Sequence, residues 1–168
     1  DLREWLVEAE KLGEVENVTG ASWEREIGMA SELVLRDDDA PCVVFDEVPG
    51  YPKGYRVLTN FFGGRRRNMT LGFSPDLTKL ELADSHRAYQ VEGMPTIPYE
   101  VVEDGPVFEN VLEGNDVDIT KFPTPVWHEH DGGRYFGTGS FDVTKDPDSD
   151  WINVGCYRVM VQNEKEVN

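Results

Sequence analysis

Apolar residues in the first dozen positions recur at helical spacing. Leu2, Trp5, Leu6, Ala9 and Leu12 fall on one side of a 3.6-residue turn, and Gly13 supplies a C-terminal stop. This pattern predicts an amphipathic helix over 1–12. A second helix is expected after Ser22, whose hydroxyl suits an N-cap. Its apolar face would carry Trp23, Ile27, Ala30 and Val34, and Asp37-Asp38-Asp39 would end it. The apolar run Cys42-Val43-Val44-Phe45, between Pro41 and the turn Pro49-Gly50, reads as a buried strand. Arg56 to Asn60 reads as a second strand. Ser74-Pro75 predicts the opening of a third helix, with Pro at the first helical position and Leu77 and Leu80 facing inward.

The pattern changes after residue 90. Pro95, Pro98, Pro106, Pro123 and Pro125, with the acidic Gly114-Asn115-Asp116, predict an extended connector over 93–125. Beyond it, Phe141 and Val143 alternate with Ser140, Asp142 and Thr144, as in a half-buried strand. Asp146-Pro147-Asp148-Ser149 suits a turn, and Trp151 to Val161 returns as a second strand. The fold class that follows is mixed, α/β and α+β. A small α/β domain over 1–92 is followed by a β-hairpin over 126–168 that begins a second, β-rich domain.

Composition acts mainly by exclusion. The chain has 168 residues, with 33 Asp plus Glu against 16 Lys plus Arg and a formal net charge of −17. A surface of that sign repels nucleic-acid phosphates and anionic lipid headgroups. Arg65-Arg66-Arg67 is the basic exception, able to receive an anion or a partner's carboxylates, although a solvated loop is the plainer expectation. No apolar run reaches the length of a membrane span, and Asp1-Leu2-Arg3-Glu4 does not open a secretion signal. A soluble, cytoplasmic protein is expected. Cys42 and Cys156 stand far apart without a CxxC, so neither a zinc knuckle nor a disulfide framework is predicted. The triplets Asn17-Val18-Thr19 and Asn68-Met69-Thr70 read as chance matches to the glycosylation pattern.

Several catalytic motifs can be discarded. Gly63-Gly64 and Gly132-Gly133 lack the Gly-Lys-Ser/Thr ending of a phosphate loop. Gly137-Thr138-Gly139 sits inside a strand instead of opening a helix, and no Gly-x-Ser-x-Gly elbow occurs. His128-Glu129-His130-Asp131 would put two imidazoles on one face of an extended segment, a geometry that suits a transition metal. Histidines beside Trp127 at a domain junction are more commonly structural, and that is the expectation.

Trp151-Ile152-Asn153-Val154-Gly155-Cys156-Tyr157-Arg158 is less ordinary. Asn is disfavoured in a strand and Gly there gives up side-chain packing. A non-protein group lying against the backbone would compensate. Alternation puts Asn153, Gly155 and Tyr157 on one face and Cys156 and Arg158 on the other. One ligand can serve both Asn153 and Arg158 only if the strand bulges, which is expected at Gly155, or if the ligand wraps the strand end. On periodicity alone, an edge strand with a polar outer face remains the simpler reading.

The ordered set Phe122-Pro123-Thr124-Pro125-Val126-Trp127-His128-Glu129-His130-Asp131-Gly132-Gly133-Arg134-Tyr135, Gly137-Thr138-Gly139, Asp146-Pro147-Asp148 and Asn153 to Arg158 resembles the UbiD family of reversible decarboxylases. Asp1 to Leu6, Leu12-Gly13-Glu14 and Gly50 to Val57 resemble the front of the same family, so the likeness runs along essentially the whole chain. The resemblance implies prenylated FMN in a split β-barrel, with Mn2+ and K+ at the cofactor phosphate. It implies that Asn153 is a metal ligand and that the Trp151 carbonyl contributes to the potassium site. It implies that Asn153, Gly155, Cys156, Tyr157 and Arg158 lie along the cofactor, with Arg158 the catalytic Arg. A guanidinium suits that role, because it holds a carboxylate with two parallel hydrogen bonds. Members act on unsaturated, aromatic or heteroaromatic acids and are usually homo-oligomers. They are also much longer than this chain, and their remaining acid, His and Glu residues lie downstream. The chain alone is therefore expected to be inactive.

Overall fold

A computed structural model describes residues 1–93, 98 and 100–168. The first helix, α1 (Leu2–Lys11), begins at a capping box. The Asp1 side chain accepts from the backbone N–H groups of Arg3 and Glu4, and Glu4 reaches back to the N-cap nitrogen. Only Ala9 of α1 is fully buried, so the helix rests on the core by one narrow stripe.

The core forms around β2 (Cys42–Asp46), the central strand of a three-stranded sheet in the order β1-β2-β3. β1 (Val15–Thr19) runs parallel to β2, and β3 (Val57–Thr59) runs antiparallel to it. The crossover between β1 and β2 carries α2 (Glu26–Val34). Ile27 of α2 is buried against Val43, Phe45 and Val48, and Trp23, Ala30 and Val34 pack around them. Four successive buried residues, Cys42 to Phe45, are what a central strand covered on both faces requires.

Three expectations need correction. Ser22 does not cap α2. Its hydroxyl accepts from Glu24 N, and the helix begins only after Arg25, whose φ of 114° interrupts it. The third helix does not open at Ser74-Pro75. It is α4 (Lys79–Glu92), with Thr78 and Glu81 forming the capping box. Leu80 is 80% exposed and Leu82 is the buried position. The stronger cap lies four residues later, where a hydroxyl and a carboxylate satisfy orphan N–H groups together.

Nor is the Arg triplet a solvated loop. It lies in a short helix, α3 (Gly64–Thr70), and Arg66 is 0% exposed. Arg66 Nη1 donates to Glu14 Oε2 at 2.7 Å, and its Nη2 donates to the carbonyls of Ala40 and Asn60. Asn68 is also buried and donates to the carbonyls of Pro75 and Leu77, so the first residue of its triplet is held in the interior.

Of the connector over 93–125, positions 94–97 and 99, which include Pro95, lie outside the described residues. The remainder is irregular with short 3-10 turns at Pro106–Phe108, Gly114–Asp116 and Ile119–Lys121. It closes on the core at buried Pro123, Thr124 and Pro125. No helix among the described residues is long and apolar enough to cross a membrane.

Candidate functional site

The expected hairpin consists of β4 (Tyr135–Lys145) and β5 (Ile152–Met160). Asp146 N donates to the Trp151 carbonyl at 3.0 Å and Asp148 N to Asp146 Oδ1 at 2.8 Å, which closes the turn. One lone pair of the Trp151 carbonyl is thereby occupied, and the second is available to another partner.

Pairing is regular from Lys145↔Ile152 to Ser140↔Tyr157, with Gly155 directly opposite Asp142. The register then shifts, because Gly137 pairs with Val159, and two β4 residues stand opposite Arg158 alone. The irregularity expected at Gly155 thus lies in the facing strand. Gly137-Thr138-Gly139 is a favourable place for an extra residue, since glycine adopts bulge conformations at little steric cost.

β5 itself gains no residue, so its alternation is unbroken. Asn153, Gly155 and Tyr157 share one face with Thr144, Asp142 and Ser140. Ile152, Val154, Cys156 and Arg158 project from the other, beside Lys145, Val143 and Phe141. Asn153 and Arg158 lie five positions apart, roughly 16 Å at the rise of a strand. A single ligand reaching both must be of about that length and must pass around the strand.

The face carrying Asn153 has a polar group left over. Asp142 Oδ2 is sealed from solvent and has no hydrogen-bond partner among the described residues. A carboxylate oxygen sealed from water without a partner is unfavourable unless a donor or cation arrives. Next to it, Gly155 presents bare backbone, and Asn153 is half-buried on the adjacent pair. An amide and an orphaned carboxylate oxygen on one strand face are hard donors, of the kind that suits a cation such as manganese or potassium. The oxygen donors on this face therefore fit the cations implied by the resemblance. The bare backbone of Gly155 already carries a flat ring, that of Tyr157, whose Cε2 stands 2.3 Å from where a Cβ would be.

On the opposite face, Arg158 and Cys156 are exposed, among Phe141 at 75% and Val143 at 61% exposure. That face is apolar in composition between Lys145 near one end and Arg158 near the other.

His128 and His130 are not brought together as an extended metal site. They sit in a turn in which His128 N donates to Asp131 Oδ2 and Asp131 N to the His128 carbonyl. His128 Nε2 lies 3.8 Å from Glu32 Oε2. No group of three or more His, Cys, Asp or Glu side chains able to hold a metal occurs among the described residues.

Sequence reasoning missed Arg134, which fixes the base of the hairpin to the core. Its guanidinium lies 4.3 Å from the Trp23 ring centroid and donates to the Thr124 and Phe122 carbonyls and the Tyr51 hydroxyl. Trp127 Nε1 donates to the Tyr135 carbonyl at 3.0 Å, and Val126 N to the Trp23 carbonyl at 3.0 Å. The partners are up to 111 residues away in sequence, counting from Trp23 to Arg134, so no local spacing signals them.

Two family models match this chain. The 3-octaprenyl-4-hydroxybenzoate carboxy-lyase N-terminal domain matches residues 6–84, and the Rift-related domain of the same carboxy-lyase matches residues 100–168. A pyrrole-2-carboxylic acid decarboxylase of Pseudomonas aeruginosa is 52% identical over 60 residues, covering 36% of this chain and 12% of that protein. A phenolic acid decarboxylase of Streptomyces sp. is 31% identical over 169 residues, covering 96% of this chain and 35% of the relative. The fold is similar to vanillic acid decarboxylase of Sedimentibacter hydroxybenzoicus in its open form, with a TM-score of 0.82 at 28% identity over 98% of this chain and 35% of that one. The chain thus spans between 12% and 35% of the length of these relatives.

Proposed function

The chain belongs to the UbiD family of carboxy-lyases, and from that premise we propose that it is the amino-terminal part of a prenylated-FMN-dependent decarboxylase. Its substrate would be an unsaturated, aromatic or heteroaromatic carboxylic acid, and the reaction would be reversible. Residues 1–92 would form the supporting α/β domain, 93–125 the connector and 126–168 the start of the cofactor domain. The assembly would be a cytoplasmic homo-oligomer.

The observation that carries this reading is the orphaned Asp142 oxygen, buried opposite Gly155 on the face that bears Asn153. Asn153 would give its side-chain oxygen to Mn2+, and the Trp151 carbonyl would give its second lone pair to K+. Gly155, Cys156 and Tyr157 would lie along the flavin. When bound, the prenylated flavin supplies the carbon chemistry that takes up the electron pair as carbon dioxide leaves. Arg158 would orient the substrate carboxylate through two parallel N–H donors, and its fixed charge would hold that carboxylate ionised.

The test is reconstitution of the full-length protein carrying this sequence with prenylated FMN, manganese and potassium. Bound flavin absorbance, bound manganese and carbon dioxide release from an aromatic or acrylic acid are expected. Arg158→Ala should remove turnover while retaining flavin, and Asn153→Ala should lose manganese and flavin together. A protein that takes up neither flavin nor metal, or an Arg158→Ala variant as active as the parent, would overturn the reading. The 168-residue chain alone should show no turnover.

A further inference from the structure

Helix α4 turns one stripe of side chains toward α3 without filling the space between them. Lys79, Leu82, Ala83, His86, Arg87 and Gln90 follow the spacing of a single helix face. Together with Arg67 and Leu71 of α3 they line a cavity of about 450 Å³. Leu71, Leu82 and Ala83 give it an apolar floor. Arg67, Lys79, His86 and Arg87 bring nitrogen donors to it, and no carboxylate lines it. In a chain with a net charge of −17, three of the 16 Lys plus Arg residues (Arg67, Lys79 and Arg87) line this one groove.

The cations are only loosely neutralised by the protein. Lys79 pairs with Asp38 at 2.6 Å and Arg87 with Asp84 at 3.8 Å, but all four side chains are more than 70% exposed. Ion pairs so exposed contribute little and exchange readily with a competing anion. Arg67 is half-buried, its Nη2 makes a 3.4 Å contact with Asn68 Oδ1, and its Nε is sealed without an acceptor among the described residues. A guanidinium so placed offers its remaining N–H groups to a planar anionic group.

We propose that this groove is a binding site for a small organic anion, a carboxylate or phosphate carried on an apolar body. It is separate from the hairpin and shares no residue with it. The apolar body would lie on Leu71, Leu82 and Ala83, and the anionic group would meet Arg67, Lys79 and Arg87. This assignment does not depend on the decarboxylase reading.

Isothermal titration of the protein with phenyl phosphate and with benzoate tests it, since the two probes share a ring and differ in the anionic group. Saturable binding of at least one, with Kd on the order of 1 mM or tighter, is expected. Inorganic phosphate and benzyl alcohol, which each carry half of the recognised chemistry, should bind at least about tenfold more weakly. The double variant Lys79→Gln/Arg87→Gln alters only exposed positions of α4 and should weaken the bound probe by at least about tenfold. Arg67→Gln, accepted only where its circular dichroism matches the parent, should do the same. Absence of saturable binding of both probes would overturn the proposal. So would binding that the double variant leaves unchanged, or inorganic phosphate binding as tightly as the aromatic probes.

Discussion

The ring of Tyr157 lies against the bare backbone of Gly155, two residues before it on the same face of β5. A Cβ added at 155 would stand 2.3 Å from Tyr157 Cε2 and 2.8 Å from its Cζ and hydroxyl oxygen. Tyr157 is 53% exposed, so its ring can swing outward instead of forcing the strand apart. Gly155→Ala is therefore expected to keep the fold, with unfolding free energy within about 1 kcal/mol of the parent by urea titration. The displaced Tyr157 ring would then enter the space along β5 in which the flavin is proposed to lie. Flavin uptake, followed by absorbance, should fall at least about tenfold. A variant that loads flavin like the parent would remove Gly155 from the proposed cofactor surface.

The ion pair between Glu14 and Arg66 joins α3 to the segment just before β1. Arg66 is fully buried and Glu14 is 16% exposed at a separation of 2.7 Å. Removing one member leaves the other charge in the interior without compensation. Arg66→Met is expected to destabilise the protein by about 3–5 kcal/mol. The double variant Glu14→Gln/Arg66→Met should lose less than the two single variants added together, because the interaction is counted once. Urea unfolding of the four proteins closes the cycle. Additive losses would show that the pair is not energetically coupled.

What the sequence made legible follows the range of the interactions involved. The faces of α1 and α2, the buried run of β2 and the pairing of the hairpin rest on local periodicity and were recovered. The half-buried strand read from Phe141 and Val143 was not, since these side chains are 75% and 61% exposed. β1 was missed because Val15-Glu16-Asn17-Val18-Thr19 offers apolar side chains only at its first and fourth positions. As an edge strand it is fixed by pairing with β2, not by its own pattern. α3 was missed because three successive arginines resemble a solvated loop. Arg66 is buried there by Glu14, 52 positions earlier. At the site, alternation separated Asn153 from Arg158 correctly. The orphaned Asp142 oxygen and the bulge opposite Arg158 required the cross-strand register, which no single strand encodes.

Gly28 sits where α2 meets the backbone of Trp127, just beyond the connector. A Cβ there would lie 1.9 Å from the carbonyl oxygen of Trp127 and 2.6 Å from its carbonyl carbon, both backbone atoms that cannot turn away. Gly28→Ala must therefore push the Val126–Trp127 segment off α2 and disturb the Val126–Trp23 and Arg134–Trp23 contacts. The expected cost is about 1–3 kcal/mol, with a change in tryptophan fluorescence in the native baseline. Met29→Ala, one position later and 59% exposed, is the control and should cost no more than about 0.5 kcal/mol. If Gly28→Ala matches that control, the close approach of Trp127 does not constrain the fold.

Asp46 closes β2 by accepting hydrogen bonds from Gly54 N at 2.8 Å and Glu47 N at 2.7 Å. These backbone donors, Gly54 foremost, hold its carboxyl below the usual aspartate range. A folded-state value below the unfolded one means that the unfolded chain binds more protons in acid. The contribution is therefore complete above about pH 4, the unfolded value, and disappears as pH falls through the folded value. Asp46→Asn keeps an acceptor oxygen and removes the charge. It should be less stable than the parent at pH 7, and the gap should narrow steadily below about pH 4 as the parent's carboxylate is protonated. Urea midpoints of both proteins at several pH values provide the measurement. A gap that stays constant with pH would mean that the loop from Asp46 to Gly54 is held by the shape of the side chain and not by its charge.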